Sequence, residues 1–142
     1  MNSGFMINYC SKLLRNKLNK ELEKEEITVS QFAVIKDIEM NSFTDDGKLE
    51  VTAVEIAERL DMDKPTISGI INRLIDKKYL EKRSNPNDKR SSILKLTKET
   101  KAKLPRLERV SNEVISDATN GLTDEEIEIF KNTLGKIIEN MR

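Results

Sequence analysis

The 142 residues carry 25 Lys/Arg, 25 Asp/Glu and no histidine, so the net charge is zero while 35% of the chain is charged. Without histidine there is no imidazole general base, no Ser-His-Asp or Cys-His nucleophile and no imidazole metal ligand, and the lone Cys10 can build neither an internal disulfide nor a thiolate zinc site. The length suits one domain, and with only six aromatic residues its core must be filled by aliphatic side chains.

No apolar run approaches the length of a membrane span and no signal peptide precedes the first helix, so a cytoplasmic protein is expected. The five glycines are scattered and form no phosphate loop. No enzyme, cofactor or metal centre is expected from this composition.

In chain order, a first helix is predicted from about Phe5 to Lys24. Phe5, Met6, Tyr9, Leu13, Leu14, Leu18 and Leu22 make its apolar stripe. Thr28-Val29-Ser30-Gln31 has the form of a capping box and opens a second helix to about Met40, with Phe32, Ile35 and Ile38 facing the core. A polar, turn-rich stretch follows from Asn41 to Lys48, and a short strand is expected at about Leu49 to Val51.

Thr52-Ala53-Val54-Glu55 is a second capping-box pattern. It opens a short helix that carries Val54, Ile56, Ala57 and Leu60 and ends at a tight turn, Asp61-Met62-Asp63. The next helix runs from about Lys64 to Lys78. Ile67, Ile70, Ile71, Leu74 and Ile75 form one stripe, Asp63 caps it, and Pro65 sits in the first turn, where a missing N–H is tolerated. Two short helices across such a turn form a helix-turn-helix. Tyr79 to Ser84 and Ser91 to Leu96 then pair as a hairpin about the loop Asn85 to Arg90, which makes a wing.

Thr97 caps a long helix to about Asn120. Pro105 falls inside it and is expected to kink or restart it, and Gly121 ends it. Thr123-Asp124-Glu125-Glu126 opens a last helix with Ile127, Phe130, Leu134, Ile138 and Met141 on one face. The terminal helices exceed what a winged helix needs, and a two-fold homodimer built from them accounts for the excess.

The run VTAVEIAERLDMDKPTISGIINRLIDKKYLEKRSNPNDKRSSILKLT resembles the winged helix of the MarR (multiple-antibiotic-resistance-type) family of transcriptional regulators. Asp88-Lys89-Arg90 followed by Leu96-Thr97 is similar to that family's D-x-R…L-T wing signature. Ile27 to Ile35 and Leu122 to Glu126 resemble its flanking helices, so the likeness covers nearly the whole chain. Two departures stand out: the link at 41–48 is longer than usual, and Thr100 stands where the family often has glycine. The resemblance implies a mostly α fold with a small β-wing, in which 27–97 is a winged-helix DNA-binding region and residues 1–26 and 98–142 are dimerisation helices. It also implies a homodimer on double-stranded, pseudo-palindromic operator DNA.

The charge distribution agrees. From Arg59 to Lys101 there are 12 Lys/Arg against 6 Asp/Glu, a net of +6, which leaves −6 for the rest. On the recognition helix, Lys64, Pro65, Thr66, Ser68, Gly69, Asn72 and Arg73 form the polar face. Hydroxyls, an amide and a guanidinium suit the edges of bases in a major groove, and the helix N-terminus points amides at phosphate. Plain solvent exposure is the alternative for Asn72 and Arg73. Gly69 costs helix stability, which either close approach of DNA or close helix packing would explain. In the wing, Lys82, Arg83 and Lys89 are phosphate candidates. By resemblance Arg90 enters the minor groove, held in place by Asp88; the alternative is a surface Asp88–Arg90 pair.

Relatives in the family bind small aromatic or phenolic acids, which implies an inducer crevice lined by Tyr9, Leu13, Phe32, Ile35, Leu104 and Leu107. Cys10 offers a redox-responsive alternative, although its flanks do not look like the peroxide-sensing branch. A winged helix that contacts only proteins is the competing class. The expected function is therefore a homodimeric DNA-binding repressor relieved by a small ligand.

Overall fold

The computed structural model describes residues 1–42 and 51–142. Among these, six helices and one hairpin follow in order: α1 Ser3–Glu23, α2 Val29–Asn41, α3 Ala53–Arg59, α4 Lys64–Asp76, β1 Leu80–Asn85, β2 Asp88–Leu96, α5 Lys98–Ala118 and α6 Asp124–Met141. None of these helices is long and apolar enough to cross a membrane. Nearly all of the turn-rich link and the short strand expected before Thr52 lie outside the described residues. Val51, the last residue of that strand, accepts a hydrogen bond on its carbonyl from the Leu94 N–H at 2.8 Å.

The helix starts are local chemistry. Thr28 and Thr123 close full capping boxes with Gln31 and Glu126. At Thr52 only half of the box forms. Its hydroxyl accepts from the Glu55 N–H, but the Glu55 carboxylate lies 3.9 Å from Arg59 instead of returning to the cap. Asp63 accepts from the Thr66 N–H at 2.8 Å. That bond, with the Thr66 hydroxyl, holds the Asp63 carboxyl below its ordinary pKa.

The core gathers between α2, α3, α4 and the hairpin. Val34, Ile35 and Ile38 meet Ile56, Ile67, Ile70, Ile71 and Leu74, and Leu80, Leu94 and Leu96 close one side. α1 adds only Leu22, α5 adds Leu104 and Leu107, and α6 adds nothing. The apolar stripes of the terminal helices are instead open: Phe5 is 54% exposed and Phe130 49%.

One expectation needs correction and one is narrowed. The wing does not carry a six-residue loop: Asn85 pairs with Asp88, so the turn is Pro86-Asn87 alone, and a register irregularity at Ser84/Asn85 absorbs the surplus residues of β2. Asp88, Lys89 and Arg90 are therefore strand residues. Of the two outcomes expected at Pro105, a restart does not occur: α5 is one helix with Pro105 inside it.

Candidate nucleic-acid interface

α4 is amphipathic for a simple reason: its isoleucines and Leu74 fall on one side and sink into the core, which leaves the other side to polar residues. Lys64, Pro65, Thr66, Ser68, Gly69, Asn72 and Arg73 are all exposed and share one open surface. A Cβ built on Gly69 meets nothing within 4 Å. Helix packing within the chain therefore does not account for this glycine.

The helix is aimed by what precedes it. Asp61 takes a left-handed conformation (φ 51°) in the turn between α3 and α4. Just before it, Arg59 forks onto Asp37 of α2, with Nε 2.9 Å and 3.1 Å from the two carboxylate oxygens and Nη2 2.8 Å from one of them. The Asp37 side chain is only 7% exposed, and its carboxylate holds the Arg59 guanidinium pKa above its ordinary value. This lock was not visible in the sequence, because its partners lie 22 residues apart. It also withdraws Arg59 from the cations counted toward the basic head.

The hairpin is fastened to the start of α5. Lys78 is left-handed (φ 64°) at the exit from α4. Its carbonyl accepts from the Thr97 hydroxyl at 2.9 Å, and the Tyr79 carbonyl accepts from the buried Thr100 hydroxyl at 2.7 Å. A glycine at Thr100 would leave that buried carbonyl without this donor, so the departure noted in the sequence has a structural consequence. Lys103 lies 5.0 Å from the centre of the Tyr79 ring.

At the wing tip, Asp88 accepts from the backbone N–H of Arg90 at 2.9 Å. It thus holds Arg90 through the backbone, and among the described residues the two side chains do not form the surface ion pair that was the alternative. Asn85, which the sequence reading passed over as a loop residue, is buried. Its side chain accepts from the Asn87 N–H at 2.9 Å and donates to the Ser91 hydroxyl at 2.9 Å. The signal was available, because an Asn two residues before the end of a tight turn makes an Asx turn. Lys82 pairs with Leu94 and Arg83 with Ile93, so these two cations leave opposite faces of the ribbon and are not interchangeable. Both are exposed, as are Lys89 and Arg90.

The six residues expected to line a ligand crevice differ in burial. Ile35, Leu104 and Leu107 are buried in the core and Phe32 packs against it, while Tyr9 and Leu13 are exposed on α1. Two open cavities lie elsewhere: one beside Val54, Met62 and Lys64 at the α3–α4 turn, the other along α5 beside Pro105, Glu108 and Asn112. Cys10 is exposed on α1. Among the described residues no group of three or more His, Cys, Asp or Glu could hold a metal ion.

Residues 43–91 match a model described as MarR family. The multiple antibiotic resistance protein MarR of Salmonella typhimurium is 30% identical over 85% of this chain and 80% of its own length. The HTH-type transcriptional regulator TcaR of Staphylococcus aureus is 31% identical over 85% and 77%. Among solved structures, a cysteine-to-serine variant of MarR from E. coli, complexed with operator DNA, superposes with a TM-score of 0.83 at 27% identity, covering 94% of this chain and 91% of that one.

Proposed function

The chain belongs to the MarR family of winged-helix transcriptional regulators, and from that membership we propose that it is a homodimeric, sequence-specific DNA-binding repressor relieved by a small aromatic or phenolic ligand. The open flank of Gly69 carries the reading. A mid-helix glycine costs about 1 kcal/mol against alanine, and nothing inside the chain repays it. A DNA major groove against α4 does, because the missing side chain lets the backbone approach base edges.

Ser68, Asn72 and Arg73 then read bases, while Lys64, Pro65 and Thr66 bring the helix N-terminus to the phosphates. The wing enters the adjoining minor groove with Arg90 at its tip. Lys82 and Arg83, on opposite faces, serve opposite phosphate rows, and Lys89 adds to the same attraction. Residues 27–97 form the reading head, and the open stripes of 1–26 and 98–142 join two copies. That union also sets two recognition helices about one duplex turn apart, roughly 34–36 Å.

The ligand site follows from the same assembly. With Ile35, Leu104 and Leu107 in the core, a phenolic acid reaches this region from the side of Tyr9 and Leu13 and is enclosed by the second copy. Linkage gives its test: salicylate should bind the operator complex more weakly than the free protein, by the factor by which it lowers operator affinity. Equal affinity for both forms rejects it as inducer.

DNA binding itself is tested by fluorescence anisotropy on random and on selected duplexes over a range of salt. Binding by Lys/Arg must weaken as salt rises, with the selected duplex held more tightly throughout. A chain that binds neither duplex at low salt is a protein-contact module instead.

A further inference from the structure

The corner between α1 and α2 receives a cation from each of two distant elements. Glu26 is left-handed (φ 59°), which turns its carbonyl outward, and that carbonyl accepts from the Lys77 ammonium at 2.8 Å. Lys77 is the C-cap of the recognition helix α4. The neighbouring Glu25 pairs with Arg106 of α5, Oε1 to Nε, at 2.7 Å, with the Glu25 side chain 12% exposed and the Arg106 side chain 70% exposed. The corner itself is braced: Asn19 of α1 accepts from the Val29 N–H at 2.8 Å, and Arg15 donates to the Ser30 hydroxyl at 2.7 Å. Two adjacent residues thus tie the end of the reading helix to α1, whose apolar stripe lies open, and to α5, whose Leu104 and Leu107 are anchored in the core.

We propose that Lys77 and Arg106 are positioning residues that fix the angle of the recognition helix against the dimerisation helices, and so set which half-site spacing the dimer accepts, without touching DNA. The proposal rests on the dimeric DNA-binding reading above. A cation committed to a carbonyl at the rear of α4 makes no phosphate contact, so its loss leaves the salt slope alone. What its loss changes is the tolerance of the dimer for misplaced half-sites. One inserted base pair turns a half-site by about 34° about the duplex axis, and a rigid pair of heads cannot follow that rotation while a loosened pair can.

The test starts with a duplex selected from random sequence by the wild-type chain, and two copies of it with one base pair added or removed between the half-sites. Wild type should bind the selected spacing about tenfold or more tightly than either altered duplex, comparable to one mismatched base pair. Lys77→Met and Arg106→Met should each shrink that preference to about threefold or less, with salt slope and melting temperature unchanged. Arg106→Lys, which keeps the charge, should restore part of it. Variants that keep the wild-type spacing preference overturn the inference alone. Variants that lose affinity for all three duplexes with a flatter salt slope also overturn it, since the residues would then be phosphate contacts. A wild-type chain that selects no duplex overturns the DNA-binding reading and the inference with it.

Discussion

Gly69 separates stability from function more cleanly than any other residue. Its flank is empty, so alanine fits, and Gly69→Ala should raise stability by about 0.5–1 kcal/mol. The same methyl group would face the base edges and should weaken a selected duplex about tenfold or more. Chemical denaturation and anisotropy on one preparation check both signs; a variant that is stabilised and binds normally would remove DNA as the reason for the glycine. Asp37 behaves oppositely. Asp37→Ala strips three bonds from Arg59, whose side chain remains 35% exposed and can rehydrate, so the cost should be about 1–3 kcal/mol rather than that of a fully buried pair. Denaturant midpoints measure it. Asp63 adds a pH dependence. Its folded pKa lies below the ordinary 3.8, so the stability it gives is present above that value and fades as pH falls through the folded pKa. In Asp63→Ala that contribution to the acid transition should be missing.

Local chemistry makes an element legible, and cross-chain register hides it. The caps at Thr28, Thr52, Asp63, Thr97 and Thr123 each form with a residue three positions away, so a single sequence displays them. The wing turn is shorter than the sequence implies because Pro86 and the asparagines announce a turn without fixing where the strands begin to pair. Pairing is fixed by Leu80 opposite Leu96 and by the buried Asn85, a cross-strand matter. At Pro105 the local rule leaves a kink or a restart open, and α5, held by Leu104 and Leu107 in the core, does not restart. The observed wing yields a graded expectation. Arg90→Ala should cost affinity most on A/T-rich flanks, whose narrow groove attracts arginine. Asp88→Ala frees only the Arg90 backbone amide and should cost less in the same direction. Equal losses on A/T-rich and G/C-rich flanks would leave Arg90 a phosphate contact.

At the scale of the molecule, the chain is divided between a packed head and two terminal helices, α1 and α6, whose apolar residues are exposed. Sequence periodicity displayed both sets of stripes. It could not tell which stripe is filled within one chain, because burial depends on where α1, α5 and α6 point. For the same reason the proposed crevice mixed core residues such as Ile35 and Leu107 with exposed ones such as Tyr9. Since α6 buries nothing in the single chain, Ile138→Glu should leave the head folded while sedimentation falls from about twice 16.3 kDa to one chain, with operator affinity lost in step. Whether two copies of this head read one duplex is settled by selecting from random duplex DNA with the wild-type chain. The enriched sequences should be pseudo-palindromes with half-sites about 10–10.5 base pairs apart, centre to centre, each occupied by two chains. Enrichment of a single unrepeated site bound by one chain, or of no sequence at all, would contradict it.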